Sequence, residues 1–161
     1  MMTVAPCLLI RRLWRRRADL PLLLEAAFWL GVARLSLRFL PFRHVAAQLR
    51  PWVRPAPLST SEDSVRRVAW AVPLVARHVP WRAVCFHEGI AAQRLLARRG
   101  IASELVYGVK REEAGGKLIA HVWLRAQGAD VVGGPEAQGY TVLTGFTTRS
   151  AGRFRSNRKS A

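Results

Sequence analysis

The stretch "KLIAHVWLRAQGADVVGG", Lys117–Gly134, decides the fold. Apolar, β-rich runs on either side of Gln127-Gly128 read as two antiparallel strands joined by a two-residue turn. That turn pairs Ala126 with Ala129, Arg125 with Asp130 and His121 with Gly134. Leu118, Ala120, Val122 and Leu124 share one face of the first strand, and Ile119, His121 and Trp123 share the other. If the first face looks into the core, His121 projects toward a different layer.

Outward from the hairpin, "SELVYGVK" and "YTVLTGF" add two short β-rich runs, which predicts a small antiparallel sheet. Upstream, "PWRAVCFHEGIAAQRLLARRGI" predicts a helix from about Ala83 to Arg98, with Gly100 where a left-handed C-terminal cap is wanted. Cys85 then lies in its first turn. A further helix is expected to start at Ser59, whose spacing to Glu62 is that of a capping box; Val65, Val68, Ala69, Val72 and Ala76 line its apolar face, and Pro73 should kink it. The proline-rich "RPWVRPAPLSTSE" before it reads as a linker.

Before the linker, "LPLLLEAAFWLGVARLSLRFLPF" is apolar nearly all round, but Glu25, Arg34 and Arg38 interrupt it. Its longest uncharged run, Ala26 to Ala33, falls short of the ~20 residues a spanning helix needs. A buried or interfacial helix is expected, with Asp19 as its cap, Pro21 in its first turn and Pro41 as its stop. Phe42, Val45, Ala46 and Leu49 mark a second short helix. "MMTVAPCLLIRRLWRRR" places its arginines after the apolar run, the reverse of a secretory signal.

The fold class is therefore α+β: a cysteine-bearing helix packed on a small antiparallel sheet, preceded by an α-helical region. The divisions are residues 1–58 as a basic, apolar helical region, 59–146 as the main domain and 147–161 as a disordered basic tail. With 26 Lys and Arg against 10 Asp and Glu, the net charge is +16, which favours negatively charged partners. The 2 cysteines, Cys7 and Cys85, form neither a disulfide framework nor a metal-ligand pair, so a reducing, cytoplasmic compartment fits.

A cysteine in the first turn of a helix sits where backbone amides and the helix dipole stabilise a thiolate. A histidine on a strand packed against that helix can take the proton and return it to a leaving amine. Cys85 and His121 are the catalytic candidates on that ground. A lone buried cysteine is more often a small hydrophobe, and a lone strand histidine usually makes one structural hydrogen bond. His87 points to a different face from Cys85, His44 and His78 belong to the basic N-terminal part, and Cys7 is a bare thiol near the terminus. Trp81 and Trp123 read as core aromatics before groove residues.

The run "LPFRHVAAQL", then "PWRAVCFHEGIAAQRLLARRGIASELVYGV", "AHVWLRAQGADVVGG" and "YTVLTGF" resembles the stand-alone leader peptidases of lasso-peptide biosynthesis, within the transglutaminase-like cysteine protease superfamily. The similarity runs from about residue 10 to 146. The segments C…A-A-x-x-L-L-x-R-R-G-I and A-H-x-W carry it. The resemblance implies a papain- or transglutaminase-like core and removal of the leader from a ribosomally made precursor, with Cys85 as nucleophile and His121 as general base. It implies three partners: the precursor peptide, a separate leader-binding protein and a macrolactam synthetase that joins the freed core amine to a side-chain carboxylate. No cofactor or metal is required by this chemistry, no nucleic-acid partner is expected, and peripheral membrane contact is compatible with it.

The family's third catalytic residue is an aspartate twelve positions after the histidine, where this chain has Gly133. Asp130 is not its replacement, because four residues along a strand from the position facing His121 is roughly 13 Å. It should instead form a surface pair with Arg125. What orients the imidazole is then a backbone carbonyl near Gly133, a water, or Glu136 if its loop folds back. Two alternatives stay open: a non-enzymatic binding protein using "RRLWRRR" and the arginine-rich tail on RNA or a membrane, and an acyl transferase in which an amine replaces water. The helices before residue 60 are expected to form a docking surface for the leader-binding protein or the synthetase, with Leu30 and Phe39 among its contacts.

Overall fold

The computed structural model describes residues 6–53, 61–112 and 116–150. Four helices, α1 (Pro6–Phe39), α2 (Phe42–Gln48), α3 (Ser61–Ala76) and α4 (Cys85–Arg98), precede the main sheet in the chain. The sheet is four-stranded and antiparallel in the order β4 (Ala129–Val132), β3 (Leu118–Ala126), β2 (Glu104–Arg111), β5 (Thr141–Thr147). The α+β class holds, with helices over a small antiparallel sheet.

α4 lies at the centre of the helical layer. Its Ala91, Ala92, Leu95 and Leu96 are fully buried, and they share one core with Leu22, Ala26, Leu30 and Ala33 of α1, Val68, Ala71 and Val72 of α3, and Leu105, Val122 and Leu124 of the sheet. Gly89 lets α4 approach the sheet: a Cβ there would collide with the Leu105 side chain and stand 3.2 Å from Val122. The helix ends as Gly100 requires. Gly100 adopts φ 74° and donates to Ala97, while Ile101 donates to Leu96, the paired bonds of a Schellman cap.

Several expected boundaries moved. α1 does not start at Asp19 but runs through Pro21 from Pro6, and Asp19 accepts from Arg67 of α3 at 2.8 Å instead of capping. A proline within a helix costs about 3 kcal/mol, and here the buried Leu22, Ala26, Leu30 and Ala33 oppose that cost. Leu30 is therefore core and no docking contact, whereas Phe39 is 71% exposed. The core joins α1 to α4 directly, across the line drawn at residue 58, and Glu25 of α1 bridges Arg98 and Arg99 of α4 at 2.7 Å each.

The proline-rich stretch begins with an ordered strand, β1 (Trp52–Val53), which pairs in parallel with β6 (Arg149–Ser150). The chain expected to be a disordered tail from 147 is thus ordered to at least 150. Thr148 is buried, its hydroxyl accepts from the Ser103 amide at 3.1 Å, and its own amide donates to the Ser103 carbonyl at 3.0 Å. Ser59, and the tail beyond 150, lie outside the described residues.

The hairpin keeps its turn and changes register beyond it. Gln127 and Gly128 both have positive φ, and Ala126 pairs with Ala129 and Arg125 with Asp130 as expected. A bulge between Leu124 and Arg125 then pairs Leu124 with Val132, so that Val131 and Val132 are both buried. β4 ends there, and His121 has no Gly134 partner.

Candidate active site

Val122 and Leu124 face the helical layer, and His121 and Trp123 point the other way, as alternation requires. Leu118 and Ala120, on the first face, are nevertheless exposed, so the helical cover does not extend to them. Trp123 is buried outside the main core, beside Val106. Gly108 makes room for it, since a Cβ there would stand 2.9 Å from the indole. His121 stacks on Trp123 at 6.0 Å and meets Tyr140 at 5.4 Å, which gives its ring two aromatic walls.

Where β4 ends, the chain turns at Gly133 with φ 72° into a short 3-10 turn, Pro135–Ala137. An open cavity of about 730 Å³ lies at this break. It is lined by Cys85 and Glu88 from α4, by His121 from β3, by Gly133 and Glu136 from the turn, and by Trp81. The two sequence-predicted residues thus border one space. Trp81 lines it as well, while Trp123 belongs to the buried aromatic layer.

The imidazole is held by the main chain. His121 Nε2 lies 2.8 Å from the Gly133 carbonyl oxygen. A carbonyl only accepts, so Nε2 carries the proton and donates, which leaves the Nδ1 lone pair of the neutral ring free to act as a base. The peptide carbonyl of Gly133 is therefore the group that fixes the orientation of the ring. Asp130 and Glu136 also line the cavity, but the Asp130 carboxylate accepts from Arg125 Nε at 3.0 Å.

Cys85 is the first residue of α4, half-buried and free of any disulfide. Its helix is started by His87, whose Nδ1 accepts from the Val84 amide at 3.0 Å. His87 is thus a capping residue. Burial, and then the nearby Arg34 charge, push its pKa below the usual histidine value of 6.5. A neutral ring is what the cap needs, because an acceptor nitrogen cannot carry a proton.

Glu88 escaped the sequence reading. It stands one helical turn after Cys85 and borders the same cavity as His121. Burial raises its carboxyl pKa above the ordinary glutamate value, Glu136 adds to the rise, and Arg77 and His121 oppose it. Its i, i+3 spacing from Cys85 was the available signal.

The transglutaminase-like superfamily model matches residues 27–145, and the chain belongs to that superfamily. The match begins inside α1, in keeping with the shared core. No curated protein and no solved structure matches the chain significantly. Cysteine peptidase or acyl-transfer chemistry is the type of activity this superfamily suggests.

Proposed function

We propose that the protein is a cysteine peptidase that removes the leader from a ribosomally made lasso-peptide precursor. The observation that carries the catalytic part is the 2.8 Å contact of His121 Nε2 with the Gly133 carbonyl oxygen: with Nε2–H given to that carbonyl, Nδ1 is left as a base on the wall of the cavity that Cys85 borders. The lasso-precursor part rests on the motif resemblance around Cys85 and in A-H-x-W.

In this reading His121 takes the Cys85 thiol proton, and sulfur attacks the carbonyl of the leader–core peptide bond. The backbone amide of Cys85 itself, at the very start of α4, receives the oxyanion in this reading. Imidazolium then protonates the departing core amine as the C–N bond breaks, leaving the leader as a thioester on Cys85. Water adds its hydroxyl to the acyl carbon, its second proton returns through His121, and the thiol is restored. A separate leader-binding protein presents the precursor, and an ATP-dependent synthetase closes the ring on the freed amine, all in a reducing cytoplasm.

The test incubates the chain with precursor and leader-binding protein and reads the products by mass spectrometry. Intact leader acid and core amine are expected, with no cleavage by folded Cys85→Ala or His121→Ala variants. A Cys85→Ala variant that still cuts at near wild-type rate overturns the assignment. A leader joined to an added amine would place the enzyme among acyl transferases instead.

A further inference from the structure

The inner face of α1 is core, but its outer face is apolar too. Leu20, Leu24 and Phe28 follow one another at four-residue steps, Leu35 comes seven later and Phe39 four after that, each between 49% and 71% exposed. This spacing keeps all five within one stripe along the helix. An exposed stripe of this kind marks an interaction surface.

Its charge says which kind. Among residues 6–39 there are seven arginines, Arg11, Arg12, Arg15, Arg16, Arg17, Arg34 and Arg38, and two acids, Asp19 and Glu25. Both acids are turned to arginines of the helical layer: Asp19 to Arg67, Glu25 to Arg98 and Arg99. Arg38 is exposed and lies 5.6 Å over the Phe39 ring, whereas Arg34, also exposed, lies 5.9 Å over the Trp81 ring beside the cavity. Among the described side chains the exposed stripe thus carries Arg38 and no acid, on a chain of net charge +16, the complement of an anionic lipid surface rather than of a charge-balanced protein.

From this geometry we infer that α1 seats the protein on an anionic bilayer, lying in the interface with Leu20, Leu24, Phe28, Leu35 and Phe39 toward the acyl chains. Residues 19–39 are long and apolar enough to cross a membrane on composition alone. Spanning would strip Leu22, Ala26, Leu30 and Ala33 from the core and break the Glu25 bridges, so the helix lies on the surface.

The test is flotation of the full chain with vesicles of phosphatidylcholine alone and of an equimolar mixture with phosphatidylglycerol; it does not depend on peptidase activity. Binding to the anionic vesicles is expected, falling as salt rises. Leu24→Glu and Phe28→Glu, at positions too exposed to matter to the core, should each weaken it about tenfold or more, and Arg38→Gln should weaken it further, with circular dichroism unchanged. No flotation, equal flotation with neutral vesicles, or a dimer in sedimentation that Phe28→Glu dissolves would each overturn the inference.

Discussion

Gly133 stands where, in the proposed reading, the resembled leader peptidases carry an aspartate, and placing an aspartate there should harm the protein. Gly133 has φ 72°, and a Cβ added there would lie 2.8 Å from the Val122 carbonyl oxygen, 3.1 Å from His121 Nε2 and 3.3 Å from Trp123 Cα. Two of these are main-chain atoms of the strand that carries the histidine, so relief requires the turn to move. A side chain in the left-handed region costs about 1–2 kcal/mol, and forced local strain adds about 1–3 kcal/mol. Gly133→Asp should therefore lose about 2–5 kcal/mol in urea unfolding, with Gly133→Ala losing a similar amount. Moving the turn also withdraws the carbonyl from Nε2. A hydrogen bond to a group that becomes charged is worth about 1.5–3 kcal/mol, so precursor cleavage should fall roughly tenfold to a hundredfold. The assay is kcat/KM for precursor on variants shown folded by circular dichroism. A Gly133→Asp protein as stable as wild type and at least as active would refute the reasoning, because the carboxylate would then have completed a triad that this backbone is said to exclude.

Asp130→Asn should leave kcat/KM within a few-fold of wild type, since Asp130 is engaged on the surface with Arg125; a loss of a hundredfold or more in a folded variant would give it a catalytic role. His87 should make α4 sensitive to acid. Its folded pKa is depressed, so its stabilising effect is full above the ordinary value of 6.5 and is lost as pH falls through the folded value, and His87→Asn should flatten that part of the stability profile. Glu88 carries the opposite sign: its folded pKa is raised, so wild type should lose stability relative to Glu88→Gln as pH climbs from the ordinary value to the raised one. A Glu88→Gln profile parallel to wild type across that range would show that the carboxyl is not held in the cavity.

Much of the fold was legible because it rests on local signals that tertiary structure seldom overrides. Gly100 after an apolar helical period can end a helix in one economical way, and it does so with the paired Schellman bonds. Gln127-Gly128 between two β-rich runs likewise specifies the turn. Where the reading went astray, non-local burial outweighed a local signal. Pro21 and Asp19 look like a helix start, but four side chains of the same helix drop into the core around α4, and the helix continues through both. Arg149 and Ser150 look like the start of a polar tail, yet β1 supplies a strand partner roughly a hundred residues earlier in the chain.

The site divides in the same way. The positions of Cys85 and His121 in the fold were legible because residue type and spacing reveal a helix start and a strand, whereas Glu88, one turn from Cys85, went unread although its spacing offered the signal. What holds the imidazole was not, since every residue has a carbonyl and only the backbone path selects one. That path depends on the single extra residue in β4: the bulge beside Leu124 shifts the register by one, β4 stops at Val132, and the left-handed Gly133 aims its carbonyl at Nε2. A one-residue slip is invisible to alternation along β3, which is unchanged by it. Because the orienting group is a peptide carbonyl, no side-chain deletion can remove it. The arrangement therefore yields to changes in turn geometry at Gly133, where a carboxylate-based triad would yield to a single substitution of the acid.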